Sequence, residues 1–228
     1  MYQSRTRAAT LADLAFPRAG VLRDALLVVG GSVFMALSAQ ISVPLYGGEL
    51  AHPVARAIAS LYGALGVPLP TTPVPISGQT LAVLLVGALL GSRLGTLSVL
   101  AYLGEGLAGL PVFALGTSAW SPSRIPGVPV ILGPTAGYLV GFVVAAFLVG
   151  WLAERGWDRR PLSTALAMVI GNLAIYLVGV AWLLRFVPSG SVLMAGVVPF
   201  IPGDLLKIAI AAAVLPSGWA LLRSERGR

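Results

Sequence analysis

The chain has 228 residues, of which 57% are hydrophobic and only 10% are charged, against about 25% charged residues in soluble domains, so the composition predicts a membrane protein. It has no cysteine and one histidine, His52, which excludes disulfides, thiolate metal sites and multi-histidine metal sites. The net charge is +7, but the arginines are scattered at the ends of apolar segments, which argues against nucleic-acid binding.

Six apolar segments have the length, or nearly the length, of a membrane-spanning helix, which needs about 20 residues. In chain order they cover about residues 25–43, 76–92, 94–110, 134–153, 162–184 and 203–222. Between the first two segments, Val54, Ile58, Leu61 and Leu65 stand at helical spacing and predict a short helix at the membrane surface. The predicted fold class is therefore an all-α integral membrane protein with six transmembrane helices in one bundle.

The arginine positions predict how these helices are oriented. If the N-terminus is cytoplasmic, eleven arginines lie in inner segments and three lie in outer connections, namely Arg56, Arg124 and Arg185. Because positive charges are enriched in cytoplasmic loops, both termini are predicted to face the cytoplasm. We expect a single membrane domain over residues 1–228, with a cytoplasmic segment at 1–24, the bundle at 25–222 and a cytoplasmic tail at 223–228.

Asp204 and Lys207 are charged residues in the last apolar segment, where burial in a membrane costs free energy and such residues usually mark function. They are three residues apart and so share one face of a helix. Asp204 could simply cap the start of the helix. Lys207 stands where the helix dipole disfavours a cation and therefore needs an anion. Asp204 could supply that anion in a structural pair, or a ligand could contribute as well.

Asn172 and Tyr176 are four residues apart on one face of the fifth helix. Hydrogen bonding between helices would explain Asn172 by itself. Together, the amide and the hydroxyl also suit a small heterocycle with an NH–CO–NH edge. Gln79 and Tyr138 lie in two further polar stretches at the starts of the second and fourth helices. All of these positions fall near outer helix ends in the predicted topology, which predicts one outward-facing site.

Six strings of residues, in this order, resemble the BioY family, the biotin-specific S-components of energy-coupling factor (ECF) transporters. They are PVPISGQTL at 73–81, LLGSR at 89–93, GLPVF at 109–113, GPT at 133–135, GNLAIY at 171–176 and PFIPGDLLK at 199–207. The likeness covers most of residues 30–215.

The resemblance implies a six-helix protein in the inner membrane of a prokaryote that binds biotin from the outside. It implies three protein partners, a transmembrane coupling protein and two ATPase subunits, in addition to the membrane lipid. It also implies that Asp204, Lys207, Asn172 and Tyr176 contact biotin.

The resemblance also concerns Gln79, Tyr138, Ser32 and Ala36, whereas Arg124 lies in a loop that does not match the family. Gln79 and Tyr138 match motif positions and are expected at the binding site without an assigned role. Arg124 is either a ligand contact or a loop charge. Ser32 and Ala36 form a pair of small residues on one face of the first helix, where the family meets its coupling protein; such pairs also pack helices within one bundle.

Other functions fit the residues less well. Lys207 lies between leucine and isoleucine and not in a P-loop, so no ATP hydrolysis by that motif is expected. The predicted membrane-spanning segments contain no histidine or cysteine, which argues against a membrane enzyme. We expect neither a cofactor nor a metal. Two alternatives stay open: an S-component for another small vitamin, and a self-sufficient transporter with Asp204 or Glu105 as its proton site.

Overall fold

The computed structural model describes residues 10–16, 20–43, 53–64 and 72–226, and most of them are helical. The α-helices are α1 (Leu11–Ala15), α2 (Val21–Gln40), α3 (Pro53–Ala64), α4 (Gln79–Leu107), α5 (Ala136–Ala153), α6 (Pro161–Leu183), α7 (Val192–Gly196) and α8 (Ile201–Arg226). Two short strands, β1 (Ser42–Val43) and β2 (Ile76–Ser77), pair antiparallel. Residues 1–9, His52 and Leu65, which enter the predictions above, lie outside the described residues.

The helix α4 is a tight helical hairpin of two antiparallel arms, residues 79–90 and 92–107. Its backbone leaves helical geometry at Gly91, where φ is 82° and ψ is 177°. Gln79 Nε2 donates a hydrogen bond to the hydroxyl of Tyr102, 23 residues further on. On a straight helix these residues would stand about 34 Å apart. The two arms therefore correspond to the second and third predicted helices.

Local chemistry explains why the chain reverses at Gly91. The positive φ at this residue is strained for any residue with a Cβ atom. Glu154 Oε1 accepts hydrogen bonds from the backbone N–H and the hydroxyl of Ser92, both at 2.8 Å, and so caps the start of the second arm. At Gly150 of α5 a Cβ atom would lie 2.4 Å from the carbonyl carbon of Gly91, so only glycine permits this approach.

The bundle is built around α4 and α5. The helix α5 packs between α4 and α6, α2 packs on α4, and α8 packs mainly on α6. The core is apolar and centres on the facing sides of α4 and α5. Large apolar residues also remain exposed on the outside, including Val29 and Leu37 on α2 and Leu205 and Val214 on α8. An apolar exterior over an apolar core is what a bundle surrounded by lipid requires.

The structure confirms the predicted fold class. Within the described part of the chain, five helices are long and apolar enough to span a membrane, and one of them is the two-armed α4. The predicted helix ends were wrong at one place. The first two helices were predicted to include Ser42–Val43 and Ile76–Ser77, but these residues form the paired strands β1 and β2. The backbone pairing between these strands takes the place of further helical turns.

Shorter helices, among them α1 and α3, pack at the ends of the bundle. A helix is confirmed between the first two predicted spans, as α3, while its location at the membrane surface stays a prediction. The buried Tyr62 of α3 donates a hydrogen bond from its hydroxyl to the carbonyl of Val198. The helix α1 was not predicted. It begins with a capping box between Thr10 and Asp13 and packs against α4 and α8. We call the end of the bundle that carries Gly91 the reversal end.

A candidate ligand-binding cavity

A cavity of about 290 Å³ lies at the opposite end of the bundle, which we call the cavity end. The starts of α4, α5 and α8, the middle of α6 and the connection between α4 and α5 enclose it. Its walls are largely apolar and include Phe113, Phe142 and Phe200. A mostly apolar cavity with a few placed polar groups is typical of small-molecule sites.

All seven predicted binding residues line this cavity. They come from four helices and one connection, and they are Gln79, Arg124, Tyr138, Asn172, Tyr176, Asp204 and Lys207. The structure thus brings together side chains that are up to 128 positions apart in the sequence. Their roles in binding stay predictions, because proximity to a cavity does not by itself identify a ligand contact.

Asp204 and Lys207 form the charged part of the lining. Lys207 Nζ lies 3.3 Å from Asp204 Oδ1 and donates a shorter hydrogen bond, of 2.8 Å, to Thr80 Oγ1. The hydroxyl of Tyr176 donates to the other carboxylate oxygen of Asp204. The side chains of Asp204 and Lys207 are 8% and 14% exposed. Asp204 therefore bonds side chains from two helices, which goes beyond the simple helix cap considered from the sequence.

The charge of Lys207 is already balanced by Asp204. Burial of two opposite charges is tolerated when they are paired and hydrogen-bonded, whereas burial of a single unpaired charge costs much free energy. The pair is therefore neutral as it stands, and the lysine does not need a ligand carboxylate to balance its charge. A polar but uncharged part of a ligand fits this location.

Asn172 differs from its neighbours in the cavity. Both polar atoms of its side-chain amide are buried, and neither has a hydrogen-bond partner among the described residues. A buried polar group without a partner costs about 1–3 kcal/mol. A ligand that presents an N–H beside a C=O would satisfy both atoms at once.

Gln79 and Tyr138 line the cavity, but their polar groups bond to the protein. The Gln79 amide donates to Tyr102 and accepts from the hydroxyl of Ser77 at 2.9 Å. The hydroxyl of Tyr138 donates to the carbonyl of Gly196 at 2.8 Å. These two residues hold the walls of the cavity in place, and their aliphatic and aromatic surfaces are what they offer a ligand.

Arg124 lies at the exposed side of the cavity, in the connection between α4 and α5. This position is compatible with contact to a ligand, so the two predicted roles of Arg124, ligand contact or loop charge, both stay predictions. Thr80 was not among the predicted site residues, although it lies within the string PVPISGQTL at 73–81. The need of Lys207 for a partner was visible in the sequence, but nothing in the sequence indicated which hydroxyl would supply it.

Ser32 and Ala36, the predicted partner face of the first helix, make contacts within the bundle, and their role toward a coupling protein stays a prediction. Ser32 has no exposed surface, and its hydroxyl donates to Glu105 Oε1 at 2.7 Å. Ala36 is partly buried against the core. This pair therefore packs α2 onto the second arm of α4, where the small side chains permit close approach and Ser32 supplies a partner for a carboxylate in apolar surroundings. The exposed face of α2 is formed by larger residues such as Val33 and Leu37.

A membrane-embedded helical bundle with a small, mostly apolar cavity, an internal ion pair and an unpaired amide has the features of a small-molecule binding protein. The comparison with known proteins identifies its family. Residues 50–224 match the BioY family, and the chain belongs to that family.

Named relatives and a solved structure agree with this assignment. The chain is 42% identical over 142 residues to a probable biotin transporter BioY of Pyrococcus horikoshii, which covers 62% of this chain and 78% of the relative. It is 37% identical over 150 residues to the biotin transporter BioY of Thermotoga maritima, covering 65% and 82% of the two chains. A crystal structure of the S-component for biotin from an ECF-type ABC transporter has the same fold, with a TM-score of 0.60, 23% identity and coverage of 91% and 92%.

Proposed function

We propose that this chain binds biotin and acts as the S-component of an ECF-type vitamin uptake transporter. The family assignment and the names of the relatives support this proposal. The observation that carries it is the cavity, where an unpaired amide at Asn172 and the Asp204–Lys207 pair stand within apolar walls. The volume of about 290 Å³ suits a ligand of vitamin size.

The chemistry of biotin matches the two kinds of surface in the cavity. Its ureido ring offers an N–H beside a C=O, which is what the Asn172 amide needs. Its second N–H can donate to Asp204, and the same carbonyl oxygen, which has two lone pairs, can also accept from Lys207. Its sulfur-containing ring and aliphatic chain match the aromatic walls. Its carboxylate needs a positive partner, and it stands at the end of a flexible chain.

The positions of the charged residues favour one orientation of biotin. The Asp204–Lys207 pair is internally balanced and buried, whereas Arg124 lies at the exposed side of the cavity. A carboxylate is solvated more cheaply near the exposed side, and arginine pairs well with carboxylates. We therefore place the ureido ring beside Asn172 and Asp204 and the carboxylate toward Arg124.

Binding of labelled biotin to the purified chain in detergent tests the function. We expect saturable binding that thiamine and riboflavin do not displace. Displacement by another vitamin in place of biotin would favour the alternative of an S-component with a different ligand. A chain that binds none of these vitamins would reject the proposal.

Biotin methyl ester tests the orientation. Lys207→Ala should weaken the binding of biotin by about 10- to 100-fold, because a hydrogen bond to a charged group contributes about 1.5–3 kcal/mol. With the methyl ester this penalty should persist, whereas the penalty of Arg124→Ala should shrink. The reverse pattern would show that Lys207 holds the carboxylate.

Transport requires partners in this proposal. The work would come from a transmembrane coupling protein and two ATPase subunits, with the chain as a single domain in the lipid of the inner membrane of a prokaryote. Both termini would be cytoplasmic, as the arginine distribution predicts. Single cysteines at Ser4, which lies outside the described residues, and at Ser118 test this. A membrane-impermeant thiol reagent should label Ser118→Cys and not Ser4→Cys in intact cells, and the opposite result would reverse the topology.

The alternative of a self-sufficient proton-coupled transporter gains no support from the two carboxylates that suggested it. Asp204 is paired with Lys207 and Tyr176, and Glu105 accepts a hydrogen bond from Ser32. Each carboxylate is thus engaged by protein groups that explain its presence.

A further inference from the structure

The ammonium group of Lys207 is held more closely by a neutral hydroxyl than by its ion-pair partner. Its distance to Thr80 Oγ1 is 2.8 Å, and its distance to Asp204 Oδ1 is 3.3 Å. Thr80 is the second residue of α4 and lies 127 positions from Lys207 in the chain. Asp204 is one turn away on the same helix as the lysine. The closer partner is therefore the one that depends on tertiary structure.

A direct charge-assisted hydrogen bond between an ammonium and a carboxylate is typically about 2.7–2.9 Å long. The pair in this cavity is longer than that, although its members stand three residues apart on a helix, a spacing that lets side chains meet. Lys207 donates its shorter hydrogen bond to the Thr80 hydroxyl, and the Tyr176 hydroxyl donates a hydrogen bond to the other carboxylate oxygen of Asp204. Two hydroxyls from two other helices thus hold the charged groups partly apart.

This separation leaves hydrogen-bonding capacity for a ligand. Lysine has three N–H donors, and the described contacts of Lys207 with Thr80 and Asp204 engage two of them. Asp204 Oδ1 has only the long contact with Lys207 among its described side-chain hydrogen bonds. If the ammonium moved fully onto the carboxylate, both groups would satisfy each other and would have less to offer a ligand.

We propose that Thr80 is a positioning residue for biotin binding, whose hydroxyl holds the Lys207 ammonium toward α4 and away from Asp204. This inference rests on the proposed function, because biotin is the ligand whose polar ring uses the separated pair. In this proposal Thr80 acts through Lys207, because its hydroxyl oxygen accepts the hydrogen bond of the ammonium group and so sets the location of the charge.

A pair of substitutions at Thr80 separates the hydroxyl from the shape of the side chain. Thr80→Val keeps the branched shape and removes the hydroxyl, and Thr80→Ser keeps the hydroxyl. We expect Thr80→Val to weaken the binding of labelled biotin by about 10-fold and Thr80→Ser to stay within about 3-fold of the parent. Thr96→Val is the matched control, since Thr96 lies on the other arm of α4 and its hydroxyl bonds only the backbone of Ser92 among the described contacts. This variant should bind like the parent.

A double-mutant cycle with Lys207→Met shows whether Thr80 acts through the lysine. In the Lys207→Met background, Thr80→Val should cause no further loss of affinity. Equal losses in the two backgrounds, equal affinities of parent and Thr80→Val, or a Thr80→Ser variant as weak as Thr80→Val would each overturn the inference while the parent still binds biotin. A parent chain that does not bind biotin would reject the proposed function, and the inference with it.

Discussion

At the reversal end of the bundle the half-buried carboxylate of Glu154 bonds to the protein, whereas at the cavity end the buried amide of Asn172 has no partner among the described residues. Glu154 accepts two hydrogen bonds from Ser92 and so completes the turn at Gly91. Asn172 has two buried amide atoms with no partner among the described residues. The first arrangement stabilises the fold, and the second reduces its stability in the absence of a ligand.

This difference separates structural from functional polar residues in a membrane bundle. Structural and functional polar residues are both rare in apolar segments, so the sequence alone does not distinguish one from the other. Glu154 and Asn172 differ in whether the described residues satisfy their side-chain hydrogen-bonding groups. Stability and affinity should therefore respond in opposite ways to substitutions at the two ends.

The largest effect is expected at Gly150. A Cβ atom there would meet the backbone of Gly91 and Ser92 at 2.4 Å, and backbone atoms cannot move aside as a flexible side chain does. Gly150→Ala should destabilise the protein by about 3 kcal/mol or more, measured as a lower melting temperature in detergent. The control is Gly104→Ala, because a Cβ atom at Gly104 meets nothing within 4 Å. An unchanged melting temperature for Gly150→Ala would show that the two helices can separate without cost.

The next effect concerns Asn172. Asn172→Leu removes the unpaired amide at similar side-chain size, so the ligand-free protein should melt at the same temperature or higher. Biotin should bind about 10- to 100-fold more weakly, because the leucine cannot hydrogen-bond the ureido ring. Melting curves and biotin titrations of the same preparation measure both quantities. A less stable variant with unchanged affinity would make Asn172 a structural residue and remove the contrast between the two ends.

Glu154 should show the converse behaviour with a smaller effect. Glu154→Ala removes the acceptor for the backbone and hydroxyl of Ser92 and should destabilise the protein by about 1–2 kcal/mol. Glu154→Gln keeps an acceptor oxygen and should recover part of that loss. Biotin affinity should be unchanged in both variants, since Glu154 lies at the end of the bundle away from the cavity. Loss of affinity without loss of stability would contradict the division between the ends.

The smallest effect is expected at the surface of the reversal end, where Arg23 and Asp13 form an ion pair at 2.8 Å. Partial burial raises the pKa of Asp13, but the hydrogen bonds from Arg23 and Thr10 more than offset this and hold the pKa below its ordinary value. A lowered pKa means that the contribution to stability is present above the unfolded-state pKa of about 3.9 and is lost as the pH falls through the folded-state value.

Because the Asp13 side chain is 49% exposed, solvent screens the pair, and Asp13→Asn should cost less than about 0.5 kcal/mol at neutral pH. The difference in melting temperature between parent and variant should disappear at low pH, where Asp13 is protonated in the parent as well. A large difference that persists at low pH would show that Asp13 acts through its helix cap and not through its charge.

Much of the cavity was predictable from the sequence. Four residues stand out because burying charged and polar groups in a membrane costs free energy, so that such residues usually mark function. They are Asp204, Lys207, Asn172 and Tyr176. The sequence did not reveal which of these groups have partners. Gln79 looks as polar as Asn172 in the sequence, yet its amide bonds Tyr102 and Ser77 while that of Asn172 has no partner among the described residues.

The sequence by itself determined the apolar segments, and with them the membrane bundle and its six helical segments, because the length of an apolar run is a local property. Only the tertiary structure decided which side of each helix faces inward. In a soluble protein polar residues mark the outer face of a helix, but a membrane helix is apolar all round. The burial of Ser32 against Glu105, the reversal at Gly91 and the hydroxyl of Thr80 beside Lys207 therefore emerged only from the packing of the helices.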